Sequence, residues 1–205
     1  MSKQRISIFP LAGALLFPGA HLPLHIFEPR YRALMRDALA RDRLIGMIQP
    51  RNDKVRPDLY SVGCLGRIVE CEALDDGRFD IVLLGVSRFH LLRELDVTTA
   101  FRQVEGDVEP EVQDEAPVLP LGQRAAIEME ARQLADHLGY VIDWSAVSQL
   151  DDRALLHGIA QIAPFDVAAK QALLEAGSFE ELAERTIQLL QFARCAGDDG
   201  AATLQ

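Results

Sequence analysis

Few side chains in this 205-residue chain have types and spacings suited to chemistry. His21 and His25 stand four apart, a metal-pair spacing on a helix that a strand stretches to roughly 13 Å. They fall in HLPLHIF, which alternates like a strand. Zinc is therefore not expected, and His25 reads as a hydrogen-bonded core or corner histidine that could also meet a ligand. Glu28, Arg30 and Arg32 could form a recognition cluster, or cap a helix and pair locally. Arg88 lies just after Gly85 in an apolar strand and could face an acidic ligand or bury its stem. Asp75 and Asp76 are adjacent carboxylates, which a hairpin tip explains. Cys64, Cys71 and Cys195 form no C-x-x-C pair, so zinc-ribbon and thioredoxin-like chemistry lack their minimal spacing. Free, mostly buried thiols are expected.

The elements that must position these residues divide into two kinds. QRISIF alternates as a first strand, and LAGALLFPGAHLPL follows as a turn-rich apolar connection. At Glu28-Pro29 the period changes, and Pro29 suits a first helical position because its missing N–H costs nothing there. Tyr31, Leu34, Met35, Ala38 and Leu39 then share one helical face. RLIGMIQ, VGCLGRIVECEAL, RFDIVLLG, SRFHLLREL and FRQVEGDVE are strand-like, with Asp76-Gly77 as a hairpin turn. EPEVQDEAPVLP, residues 109–120, breaks the pattern with acids and prolines and reads as a linker. Beyond it the spacing is helical. Ile127, Ala131, Leu134 and Leu138 form one stripe, and Leu155, Ile159 and Ile162 form another that Pro164 ends. Asp151 and Asp166 are N-cap candidates, and Ser178-Phe-Glu-Glu181 is a capping box. These stripes are expected to be core. The chain is thus expected to be α+β: a β-rich lobe over 1–112 with one early helix, a helical bundle over 119–196, and a flexible tail over 197–205.

Charge follows the same division. Residues 1–100 hold 14 Lys and Arg against 12 Asp and Glu, whereas residues 101–205 hold 7 against 19. Nucleic acid is not expected as the main partner, because phosphate binding needs a concentrated basic surface. No Asp, Glu, Lys or Arg occurs from Ile6 to Phe27, which imitates a membrane span. Pro10, Gly13, Pro18, Gly19 and Pro23 interrupt that run, so buried strands joined by turns explain it better. A soluble, cytoplasmic protein is expected.

ISIFPLAGALLFPGAHLPLHIFEPRYRALMRDAL resembles the opening of the Lon protease amino-terminal, substrate-binding domain family, a domain also found in cereblon. The family's ordered motifs stand here as Phe9-Pro10-Leu11, Leu16-Phe17-Pro18-Gly19 and Pro23 through Tyr31. Ile45-Gly46, Gly63, Gly66, Leu84-Gly85, Arg88-Phe89 and the late run AAKQALLEAGSFEELAERTIQLL also match, so the resemblance covers most of 5–193. It implies a PUA-like pseudo-barrel followed by helices, and recognition of polypeptide. Lys3, Lys54 and Lys170 are the only lysines, and none follows a glycine. A phosphate-cradling Walker A step is therefore absent, and no Ser-x-x-Lys occurs. A stand-alone, non-catalytic binder is expected, with no cofactor, and with an unfolded or partner polypeptide as its ligand. A dedicated partner adaptor and a small-molecule- or RNA-binding PUA-like module are the alternatives.

The expected binding face centres on residues 11–24. His21 is the one polar side chain there, and Pro18-Gly19 puts a turn in the middle. If that turn exposes Leu15, Leu16, Phe17 and Leu22 together, they form a contact patch, with His25, Arg30 and Arg88 as its polar members.

Overall fold

The computed structural model describes residues 2–110 and 117–201, the last six by backbone alone. The chain divides into two compact units, Met1–Gln113 and Asp114–Gln205. The centre of the expected linker, residues 111–116, and the end of the expected tail, residues 202–205, lie outside the described residues.

The first unit holds β1 (Ser2–Pro10), β2 (His21–Ile26), α1 (Pro29–Leu39), β3 (Leu44–Ile48), β4 (Val62–Ala73), β5 (Phe79–Glu94) and β6 (Gln103–Val108). The strand order is β2-β5-β4-β3-β1-β6, and β5 also pairs with β6. That extra pairing closes β5, β4, β3, β1 and β6 into a ring, the expected pseudo-barrel, with β2 attached outside it. β5 serves both neighbours because it is long. Its first half, Phe79–Leu84, pairs with β2, and its second half, Phe89–Glu94, pairs with β6. Only β1 and β3 run parallel.

Phe89 occupies the middle of the ring, fully buried among Ile6, Ile8, Ile48, Leu65, Val104 and Val108. Gly46, Gly63 and Gly106, on three different strands, each face its ring, and a Cβ at any of them would crowd it. The barrel is thus filled by one aromatic side chain seated on glycines. Pro29 opens α1 as expected, and Tyr31, Leu34, Met35 and Ala38 form its buried face. Tyr31 donates from its hydroxyl to the Pro10 carbonyl at 3.2 Å and packs against Phe9.

The expected contact patch is overturned here. Leu15, Leu16 and Phe17 are 2%, 1% and 3% exposed, so they are core, while Leu22 is half-buried. The turn itself is at the surface, with Gly19 exposed. Its backbone is clamped to β5, with Gly19 N–H donating to the Gly85 carbonyl at 2.8 Å and Gly85 N–H donating to the Ala20 carbonyl at 2.9 Å. Gly85 must be glycine because a Cβ there would collide with the Phe17 carbonyl. Gly66 likewise leaves room for the Leu16 side chain. The loop therefore lies flat on β4 and β5 and points its apolar side chains inward. The thiols also differ from expectation. Cys64 is buried, and burial pushes its thiol pKa up, but Cys71 and Cys195 are exposed. The end of β4 that carries Cys71 continues as an exposed run from Val69 to Ala73.

The second unit consists of α2 (Leu121–His137), α3 (Trp144–Val147), α4 (Asp152–Ile162), α5 (Val167–Leu174) and α6 (Phe179–Ala201). The expected caps form. Asp151 accepts from Ala154 N–H and Asp166 from Ala169 N–H, both at 2.7 Å. Ser178 Oγ accepts from Glu181 N–H at 3.1 Å, while the Glu181 carboxylate reaches back one residue further, to Gly177 N–H, at 2.7 Å. Leu134, Ala163 and Leu190 form the centre of the packing. The stripes are not wholly core, however. Leu138 and Ile162, at the ends of theirs, are 40% and 80% exposed.

Candidate functional site

Of the polar residues singled out from the sequence, His25, Arg30 and Arg88 are dispersed and locally paired. His25 is exposed, and its Nδ1 lies 2.5 Å from Asp80 Oδ1, directly opposite it on β5. Arg30 donates to Glu28 at 2.9 Å and lays its guanidinium over the Tyr31 ring, 4.5 Å from the centroid. Arg88 donates to Glu109 at 3.0 Å, and His90 shares the same carboxylate at 2.9 Å. Burial pushes the Glu109 pKa up, but the His90 hydrogen bond and the Arg88 charge outweigh it and hold the carboxyl below its usual range. His25 and Arg30 line two different concavities of the first unit.

The Arg30 concavity, about 510 Å³, brings Lys54, Arg56 and Arg102 near Glu94, Asp53 and Asp96. Its cations are already paired. Arg56 and Arg102 both bind Glu94, at 2.6 and 2.8 Å, and Lys54 binds Asp58 at 2.9 Å. Among the described residues, no group of three or more His, Cys, Asp or Glu is placed to hold a metal ion.

The second unit carries a different kind of site. Just past the end of α2, Gly139 takes a left-handed φ of 73°, and the chain turns back so that Tyr140 N–H donates to the Ala135 carbonyl at 2.9 Å. Tyr140, Val141 and Ile142 run out over the surface until Asp143 caps α3, accepting from Ser145 and Ala146 N–H. Arg132 of α2 lies over the Trp144 ring at 4.9 Å, fixing the start of α3. Arg124 holds the far end. It pairs with Asp152 and with Glu128, and donates to the Leu150 carbonyl at 3.0 Å. Asp152 also accepts from Leu119 N–H at 2.6 Å. Burial raises the Asp152 pKa, but these donors outweigh it and keep the carboxyl below its usual range.

These ties leave a groove of about 180 Å³ walled by α2, α3 and α4, with Leu190 of α6 in its lining. No lining residue is charged, and Tyr140 and Trp144 supply its only polar side-chain atoms. Leu138, Tyr140, Ile142, Leu150 and Ile162 line it while remaining between 37% and 80% exposed. Gly158 of α4 also lines it, with open space where a Cβ would stand. The volume is below the roughly 300–1,000 Å³ of small-molecule pockets. It suits one or two apolar side chains presented by a longer chain.

Sequence reasoning missed this surface. The available signal was LGYVIDW, residues 138–144, an apolar and aromatic run between two helices with no periodicity of its own.

The fold and site define a two-unit α+β chain: a strand-rich barrel followed by helices with an uncharged apolar groove. The model of the ATP-dependent protease La (LON) substrate-binding domain matches residues 5–191, and the chain belongs to that family. It is 25% identical over 187 residues to Lon protease 2 of Syntrophobacter fumaroxidans, covering 84% of this chain and 22% of that protein. Lon protease 2 of Myxococcus xanthus is 32% identical over 93 residues, which is 43% of this chain and 11% of the relative. The chain therefore spans less than a quarter of the length of these curated relatives. The crystal structure of a Lon N-terminal domain protein from Xanthomonas campestris shares the fold, with a TM-score of 0.63 at 23% identity over 92% of this chain and 98% of that one.

Proposed function

We propose that this chain is a polypeptide-recognition domain that holds apolar segments of substrate proteins and has no catalytic residues of its own. The observation that carries the proposal is the uncharged, partly exposed groove of the second unit. A set of exposed apolar side chains lining one concavity is the signature of a contact surface. Family membership supports a substrate-binding role. The non-catalytic reading is supported by the lysines: Lys54 pairs with Asp58, and buried Lys170 donates to the Gln161 carbonyl at 2.8 Å. Among the described residues no helix is long and apolar enough to cross a membrane. The β-rich 1–112 and helical 119–196 segments are proposed as separately folding domains, with the grouping of contacts on either side of Gln113 as support.

The test is Gly158→Leu, measured by fluorescence anisotropy with labelled, permanently unfolded casein. A leucine placed in the groove at this lining position replaces roughly 1.5–3 kcal/mol of apolar burial otherwise available to the ligand. Capture is expected to weaken by about tenfold or more, since each 1.4 kcal/mol is a factor of ten. Wild-type affinity in the variant would reject the groove as the binding site.

A further inference from the structure

The groove has no charge in its lining, yet three carboxylates belong to chain neighbours of its lining residues. Asp136 follows lining residue Ala135, Asp143 sits between lining residues Ile142 and Trp144, and Asp151 follows lining residue Leu150. All three are exposed. Asp143 is held below the usual carboxylate range by the Ser145 hydroxyl and by two backbone N–H groups, so it is ionised throughout the neutral range. Of the arginines nearby, Arg132 is laid on Trp144 and Arg124 is bound to Asp152 and Glu128. Acids exceed bases across the unit. Residues 114–205 hold 15 Asp and Glu against 6 Lys and Arg, whereas residues 1–113 hold 16 against 15.

We infer that the groove selects apolar polypeptide segments flanked by basic residues. This rests on the polypeptide-recognition reading above and adds the charge of the substrate to it. An apolar side chain occupies the groove beside Gly158, and the flanking residues pass over the rim. There, lysines or arginines meet Asp136, Asp143 and Asp151, and acids meet like charge. Rim charges act through electrostatic steering and rejection of wrong partners, and their effect is screened by salt.

The experiment uses the full chain and three fluorescein-labelled peptides sharing one leucine- and phenylalanine-rich core, flanked by paired lysines, serines or glutamates. The lysine-flanked peptide is expected to bind about tenfold tighter than the glutamate-flanked one at about 0.05 M salt, with the ratio collapsing towards one near 0.5 M. The triple variant Asp136→Asn, Asp143→Asn, Asp151→Asn should abolish the preference but keep core binding, because asparagine retains the two N-caps. Equal affinities for the three peptides, or tighter binding of the glutamate-flanked one, would overturn the charge selection and leave polypeptide recognition standing. Failure of all three to bind, or binding indifferent to Gly158→Leu, would overturn the groove reading and this inference with it. A dimer of the chain that Gly158→Leu dissociates would assign the groove to a second copy, with the same consequence.

Discussion

The loop between β1 and β2 and the loop between α2 and α4 begin from similar material and end differently. Residues 11–20 and 138–150 both join elements, and both are rich in large apolar side chains. In the first unit, Leu15, Leu16 and Phe17 are buried, because Gly66 and Gly85 let the loop lie flat on two strands. In the second unit, Tyr140, Val141, Ile142 and Leu150 stay at the surface, with Tyr140, Ile142 and Leu150 lining the open groove. The difference teaches that a loop's apolar content does not set its exposure. What lies across from it does. One loop completes a core, and the other forms a groove.

The largest effect that could break this comparison is expected from Phe17→Asp. A carboxylate at this 3%-exposed position has no designed partner, so the first unit should lose several kcal/mol of stability, on the order of 3–5. A thermal midpoint within a few degrees of wild type would return Phe17 to the surface. The same variant tests separate folding. Most of the far-UV helical signal comes from α2 to α6 and should survive, and its loss together with the sheet would refute two independent domains.

His157 of α4 gives the next effect. It is 8% exposed and edge-on to Phe179. Burial chiefly, and the Arg153 charge next, lower its pKa from 6.5 to about 4, with Asp151 opposing. Between those values the unfolded chain binds a proton that the folded chain does not, so stability falls as pH drops through this window and is unaffected above it. The full loss is about 3 kcal/mol, reached below pH 4. Urea midpoints followed by the helical signal from pH 7 to about 4 should show this slope, and His157→Phe should flatten it. An unchanged slope in that variant would assign the acid sensitivity to other groups.

The smallest stability effect is expected at Gly158, and it sharpens the contrast. Replacing a mid-helix glycine by a better helix former, in open space, should change stability by no more than about 1 kcal/mol, and favourably. Loss of capture by Gly158→Leu at undiminished stability would separate the groove from the core. Equal loss of both would merge them.

Much of the architecture was legible because its signals are local. The start of α1 at Pro29, the hairpin at Asp76-Gly77 and the caps at Asp151, Asp166 and Ser178 each depend on a few adjacent residues whose dihedrals or hydrogen bonds are set by their own chemistry. The ordered run from Phe9 to Tyr31 was enough to indicate the family, and the matched residues 5–191 show it. Closure of the barrel could not be read in this way. It depends on β5 being shared between β2 and β6, and on Phe89 finding glycines on three other strands. The functional surface was equally non-local. Phe17 and Ile162 look alike in sequence, as apolar residues beside a proline or close to one. One is covered because Gly85 lets its backbone settle on a strand, and the other is left 80% exposed where α4 ends above the groove. Burial is decided by atoms brought in from far along the chain, so only the tertiary structure could tell core from binding face.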